Sequence, residues 1–278
     1  MIYVTGANGQ LGQELKKTNL KGKATFLDRS QLDLSNLDQL EKFLQTTKVS
    51  AIINTAAYTQ VDKAEAEKEL ALTINSRAPA LMAKYAAERK FKFIHYSTDY
   101  VFNGEQTRPY REVDPTNPVN FYGETKLQGE HGVLSADSSS LILRTSWVYS
   151  AHGKNFFNTM IRLAGERPEL KVVADQMGTP TATHDLALIT LKALDKDLSG
   201  IFHFSNEGVT SWYDFACEIL RLKGFKIPVH PIKTSEFPTP AKRPAYSVLD
   251  KTKIKSALGE EIPDWKEALR KVVLKDFQ

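Results

Sequence analysis

Through the first half of the chain, short apolar runs alternate with stretches whose apolar residues recur every three or four positions. The runs "MIYVT", "KATFLD", "AIINTAA", "FKFIHYST" and "SLILRTSWVY" predict five strands. Between them, "QLGQELKKT", "SNLDQLEKFLQTT", a long stretch over 63–89 and the segment carrying Tyr122 have helical periodicity. Ser35, with Asp38 three residues on, is expected to cap the second helix. Strands that are apolar throughout, each followed by a helix, predict a parallel sheet covered on both faces. Right-handed crossovers make it a doubly wound α/β sheet of the Rossmann kind.

The second half is less regular. Helices are expected over "NFFNTMIRLAGE", "THDLALITLKALDK", 211–222 and 264–275, and strands over "LKVVAD" and "GIFHFSN". A proline-rich loop, "EFPTPAKRPAY", lies before the last helix, and no repeat or low-complexity linker divides the chain. The expectation is a dinucleotide-binding domain over 1–148 and a smaller mixed substrate domain over 149–278. Some segments of the latter should return to the first, leaving a cleft between two packed parts.

Composition narrows the field. The 278 residues are 41% apolar and 25% charged, as in an ordinary globular protein. A net charge of +4 is too mild for a nucleic-acid or membrane partner, yet suits a small anionic ligand. The lone cysteine, Cys217, excludes an intrachain disulfide or a thiolate zinc site, and points to a reducing, cytoplasmic setting. It lies in "WYDFACEIL", an amphipathic run, and reads as a small packed residue. The chain opens on a strand, so no signal peptide is expected, and no apolar run is long enough to span a bilayer.

Candidate chemistry begins at "VTGANGQLGQEL", which sets Gly6, Gly9 and Gly12 between a strand and a helix. Glycines there allow a tight turn and let backbone N–H groups approach a pyrophosphate at the helix start. The second strand ends in Asp28-Arg29. The acid suits ribose hydroxyls and NAD, the arginine a 2′-phosphate and NADP, so both cofactors stay open. Asp33 and Leu34 lie just beyond. In "NFYGETK", Tyr122 and Lys126 share one helix face, one turn apart. A nearby ammonium is expected to lower the phenol pKa, and such a phenol can protonate a carbonyl oxygen while hydride reaches its carbon. Ser97 and Thr98, at the end of the fourth strand, can hydrogen-bond that oxygen.

Together these residues resemble the extended short-chain dehydrogenase/reductases. "NTAAYTQVDKAE", "HYSTDYVFNG", "NFYGETKLQGE", "RTSWVY", "NFFNTMIRLA", "DQMGTPT" and "PTPAKRP" stand in the order of the dTDP-4-dehydrorhamnose reductase family, over nearly the whole chain. That resemblance implies reduction of the 4-keto group of dTDP-4-dehydro-6-deoxy-L-mannose to dTDP-L-rhamnose by NADPH or NADH. It implies that Tyr122 is the proton donor, that Lys126 tunes it and holds the nicotinamide ribose, and that Thr98 orients the substrate oxygen. Gln10, Leu11, Asp28, Asp33, Leu34, Ala56, Ala57, Tyr58 and Asn75 would line the cofactor. Thr98, Asp99, Trp147, Asn155, Gln176, Thr181 and Arg243 would meet the dTDP-sugar, with Arg243 on its diphosphate.

Some members form dimers around a magnesium ion held by acids. Here Glu14 stands at one ligand position, but His184 stands where another acid is looked for, so neither that metal nor that dimer is expected. A monomer or a homodimer remains open. His95, inside an apolar strand, reads as a packed residue rather than a base. Two other readings compete with it. One is a non-catalytic NADP-binding subunit of the methionine adenosyltransferase type. The other is a sugar-nucleotide epimerase or dehydratase of the same fold. Thr98, Tyr122, Lys126 and "DQMGTPT" favour the reductase.

Overall fold

The computed structural model describes residues 1–20 and 22–275. The first half follows the expected alternation: β1 (Ile2–Thr5), α1 (Gln10–Lys16), β2 (Ala24–Leu27), α2 (Leu37–Thr46), β3 (Ala51–Asn54), α3 (Val61–Ala64), α4 (Lys68–Leu72), a π turn (Thr73–Arg77), α5 (Ala78–Arg89), β4 (Lys92–Thr98), α6 (Phe121–Ala136) and β5 (Leu141–Thr145). Then come β6 (Val148–Tyr149), α7 (Phe156–Glu166), β7 (Leu170–Val173), β8 (Met177–Gly178), β9 (Thr181–Ala182) and α8 (Thr183–Asp195). The chain continues through β10 (Gly200–His203), β11 (Thr210–Ser211), α9 (Trp212–Leu222), β12 (Val229–Ile232), α10 (Thr252–Leu258) and α11 (Trp265–Lys275).

Six parallel strands form the central sheet in the order β10-β5-β4-β3-β1-β2. Strand alternation sends Val4, Ile53, Ile94, Leu141 and Leu143 into one core, closed by α8 and α10. Ile52, Phe93 and Ile142 enter the other, closed by α2, α5 and α6. A third core, from Tyr149 to Val273, gathers α7, α9 and α11. Two-stranded pairs β6–β9, β8–β11 and β7–β12 edge this part.

Three expectations need correction. Asn36, not Ser35, caps α2, because Asp33 Oδ1 already holds the Ser35 N–H and hydroxyl at 2.9 and 2.7 Å. The long helix over 63–89 is broken into α3, α4, the π turn and α5. The fifth strand is split after Thr145, where Trp147 takes φ 47°, a left-handed conformation that a strand cannot contain.

Two glycines decide where α6 lies. A Cβ on Gly123 would come 2.2 Å from the Tyr100 carbonyl oxygen, and one on Gly129 would come 2.1 Å from the Asn75 carbonyl oxygen. The helix therefore rests directly on backbone at both ends of this face. Asn120 starts it by accepting from the Gly123 N–H at 2.8 Å.

Candidate active site

The sheet order reverses between β1 and β3, and the loops after these strands adjoin there. Gly6 turns with φ 72°, and a Cβ on it would meet the Ala56 nitrogen at 2.7 Å. Gly9 begins α1 with no side-chain cap and no acid in the first turn, so the N–H groups there remain available to an anion. Gly12 is buried one turn on. A dinucleotide phosphate fits this helix start on those grounds.

Around it the expected cofactor residues divide. Asp28 is half-buried beyond β2. Its oxygens accept from Ser30 Oγ at 2.6 Å and Asn8 Nδ2 at 3.1 Å, and the Ser30 hydroxyl heads the causes that hold its carboxyl below the usual range. Arg29 is exposed and pairs with Asp33 at 3.1 Å. Ala56 and Ala57 line the loop after β3. Leu11 and Leu34 are buried, one in each of the two cores that flank the sheet. Tyr58 and Asn75 clamp each other: the Asn75 amide accepts from the Tyr58 N–H at 2.8 Å, and donates to the Tyr58 carbonyl and to Thr125 Oγ1, each at 3.0 Å. Asn75 is fully buried, and it fastens the π turn to α6 rather than facing an open cleft.

Thr98 and Asp99 end β4 beside Tyr122. The Thr98 hydroxyl donates to Asp99 Oδ1 at 2.9 Å. Burial pushes the Asp99 carboxyl up to about 6, against the hydroxyls of Ser247 and Thr98, and its Oδ2 is without a partner. Tyr100 packs edge-on against Tyr122, with ring centroids 5.7 Å apart. Ser97 is buried and its hydroxyl has no partner.

The expected lowering of the phenol pKa is overturned. Burial raises Tyr122 well above its ordinary value, the Asp99 carboxylate pushes the same way, and the Thr98 hydroxyl pulls back. Desolvation of the phenolate is the largest cause, and the Lys126 ammonium is not among the groups that move this phenol. Lys126 is buried, and burial brings its ammonium down to about 8 against the pull of Glu130. Its Nζ lies 3.2 Å from Nε2 of His95.

On the far side, the half-buried Trp147 stacks on Trp212 with centroids 3.5 Å apart, and Gly178 leaves room for its indole. Several expected substrate residues are already engaged. Asn155 caps α7 through Oδ1 and donates to Gln10 Oε1 at 2.7 Å, so Gln10 and Asn155 are joined to each other. Gln176 donates to Thr234 Oγ1 at 3.0 Å. Thr181 is fully buried, 3.3 Å from the Thr145 hydroxyl. Arg243 forks onto Asp62 at 2.7 and 2.8 Å, which ties the loop before β8's neighbour Tyr246 to α3. The local pattern did not reveal the Asp62 partner or the Lys126–His95 contact. The one available signal was a polar residue closing each apolar run, "YVT", "IIN" and "FIH".

At Glu14, Oε1 holds the Lys17 ammonium at 2.7 Å, and His184 Nδ1 is 3.9 Å from Oε2.

Comparison with known proteins bears on this site. The dTDP-4-dehydrorhamnose reductase of Burkholderia thailandensis is 42% identical, over 96% of each chain. The crystal structure of the dTDP-4-dehydrorhamnose reductase of Clostridium acetobutylicum superposes with a TM-score of 0.96 at 44% identity, covering 100% of this chain and 99% of that one. That of Bacillus anthracis, in complex with NADP, has a TM-score of 0.94 at 38% identity, covering 99% and 98%. A model of the RmlD substrate binding domain matches residues 1–277. A match running from the first strand to beyond the last helix covers the glycine turn, the β4 end and α6 alike, and the chain belongs to the RmlD substrate-binding-domain family.

Proposed function

We propose that the chain reduces the 4-keto group of dTDP-4-dehydro-6-deoxy-L-mannose to dTDP-L-rhamnose with NADPH or NADH. The observation that carries the reading is one juxtaposition. Tyr122 and Lys126 stand one turn apart on α6, beside Thr98 and Asp99 at the end of β4. When bound, the reduced nicotinamide supplies the hydride. Gly6, Gly9, Gln10 and Gly12 would hold its diphosphate end, with Asp28, Arg29 and Asp33 at the ribose and Lys126 at the nicotinamide ribose.

The chain's own groups do the proton chemistry. A phenol raised by burial stays neutral at physiological pH, and neutral is the form that donates to a ketone oxygen. The phenolate left behind lies one turn from the Lys126 ammonium. Thr98 is held by its bond to Asp99. Turning that hydroxyl to the ketone oxygen deprives the buried carboxylate of a donor, and protonation of Asp99 removes the cost. Trp147, Asp99 and Arg243 would bound the dTDP-sugar, with residues 1–148 as the dinucleotide part and 149–278, apart from segments that return to the sheet, as the sugar-nucleotide part. The reading carries with it a cytoplasmic enzyme acting as a monomer or homodimer, without a nucleic-acid or membrane partner; no helix among the described residues is long and apolar enough to cross a membrane. A non-catalytic binding subunit has no need of an intact Thr98, Tyr122 and Lys126.

The test is the loss of NADPH and NADH absorbance with a panel of 4-keto sugar nucleotides, each made in place by the preceding dehydratase and epimerase. Oxidation with the dTDP-linked ketosugar is expected. No oxidation with any of them would overturn the reading.

A further inference from the structure

We propose that His95, uncharged and protonated on Nδ1, is a positioning residue that holds the Lys126 ammonium through Nε2, at the end of a hydrogen-bonded row laid across three strands. The row follows from register. Thr5 of β1 pairs with Asn54 of β3, and Asn54 pairs with His95 of β4. By strand alternation the three share the face of Ile52 and Phe93, the face that α6 covers. As placed, Asn54 Oδ1 lies 2.6 Å from Thr5 Oγ1 and Asn54 Nδ2 lies 3.1 Å from His95 Nδ1, and His95 Nε2 reaches Lys126 Nζ at 3.2 Å.

All four side chains are buried, three of them on strands and Lys126 on α6. Leucine or valine would fill the same space without the cost of burying polar groups. Among the described residues, His95 provides the only hydrogen bond of the Lys126 ammonium. Glu130, one turn further along α6, is already taken by Arg144 at 2.8 and 2.6 Å.

Proton counting sets the direction of the row. An ammonium has donors only, so Nε2 must present its lone pair and Nδ1 must carry the proton. Nδ1–H then needs an acceptor. The oxygen and nitrogen of an amide are assigned by their partners. The proposed row therefore has the Asn54 amide turned over from that placement, so that its oxygen faces His95 and its NH2 group faces the Thr5 hydroxyl. Each contact then has one donor and one acceptor. An imidazolium would leave the ammonium facing N–H, and burial beside Lys126 does hold the His95 pKa well below its ordinary value. The consequence for Lys126 rests on the reductase reading above; the tautomer does not.

The test uses the full chain labelled with 15N-histidine, with His95→Gln to assign the signal. A lone-pair shift at Nε2 and a protonated Nδ1 at neutral pH are expected; a protonated Nε2, or an imidazolium, sinks the proposal. His95→Leu should lower kcat about 10- to 100-fold, with KM for the sugar nucleotide little changed, because it removes one hydrogen bond to a charged group. His95→Gln, which restores an acceptor, should recover most of that loss. A folded His95→Leu protein turning over at the parent rate would also overturn it. A parent protein inactive on every ketosugar would sink the reductase reading alone, and the ring spectrum would still decide the tautomer.

Discussion

At Tyr122, burial and the Asp99 carboxylate push the phenol the same way. The phenol is pushed up rather than down, so on the proposed reading it is a proton donor that does not ionise in the working range. Tyr122→Phe should leave NADPH affinity within about threefold and cut kcat by about 10²- to 10⁴-fold, the usual weight of a general acid. Fluorescence titration and steady-state rates check both halves. Asp99 is the second residue whose surroundings work against its charge. A folded pKa of about 6 lies above the ordinary value of 3.8. Its contribution to stability is therefore fully present below the lower value and is lost as pH rises through the upper one. Asp99→Asn should flatten stability across that window and raise it at neutral pH by on the order of 2–3 kcal/mol, at roughly 1.4 kcal/mol per unit. Urea unfolding at several pH values measures it, and an unchanged slope would show that the carboxylate is better solvated than its burial implies. That such a group sits at the end of β4 was legible in "STDY"; that nothing would satisfy its Oδ2 was not, because Ser247 and the loops that exclude water come from far along the chain.

Element by element, α6 carries Tyr122 and Lys126, and its seating depends on glycine. Gly129→Ala gains helix propensity of up to about 1 kcal/mol. Against that, the new methyl would lie 2.1 Å from the Asn75 carbonyl oxygen, which is backbone and cannot step aside cheaply. Overpacking of this kind costs about 1–3 kcal/mol, so a net loss in urea midpoint is expected, together with a lower kcat as Tyr122 and Lys126 shift. A stabilised variant would mean that the π turn yields. The periodicity over 63–89 could not show that turn. Asn75 lies within it, and its amide bonds to Tyr58 and Thr125 hold the two segments together. Likewise the run "SLILRTSWVY" is apolar enough to be one strand. It breaks because Trp147 is drawn into a left-handed conformation against Trp212 and Gly178, both distant in sequence.

Across the whole molecule, the two halves are stitched at the site itself. Asp62 of α3 and Arg243 are 181 residues apart and form a forked ion pair. Asn120, the cap of α6, also donates to the Lys242 carbonyl at 2.8 Å. The loop from the second half is thus pinned over the start of α6. Asp62→Ala should free Arg243, and KM for the sugar nucleotide should rise about 3- to 10-fold with kcat nearly kept, the signature of lost ground-state binding. Steady-state kinetics at saturating NADPH tests this, and an equal fall in kcat would instead place Arg243 in the reacting step.

The amino-acid sequence alone determined the alternation of strands and helices, the glycine turn and the placing of Tyr122 and Lys126 on one face. Each depends on residues within a few positions of one another, where the periods of two and of 3.6 residues apply. Only the tertiary structure decided what surrounds them: that Asn75, Asn155 and Arg243 have protein partners, that the phenol is raised, and that His95 faces the lysine. Those outcomes turn on water exclusion and on donors and acceptors brought together from remote parts of the chain, and a local pattern carries no record of either.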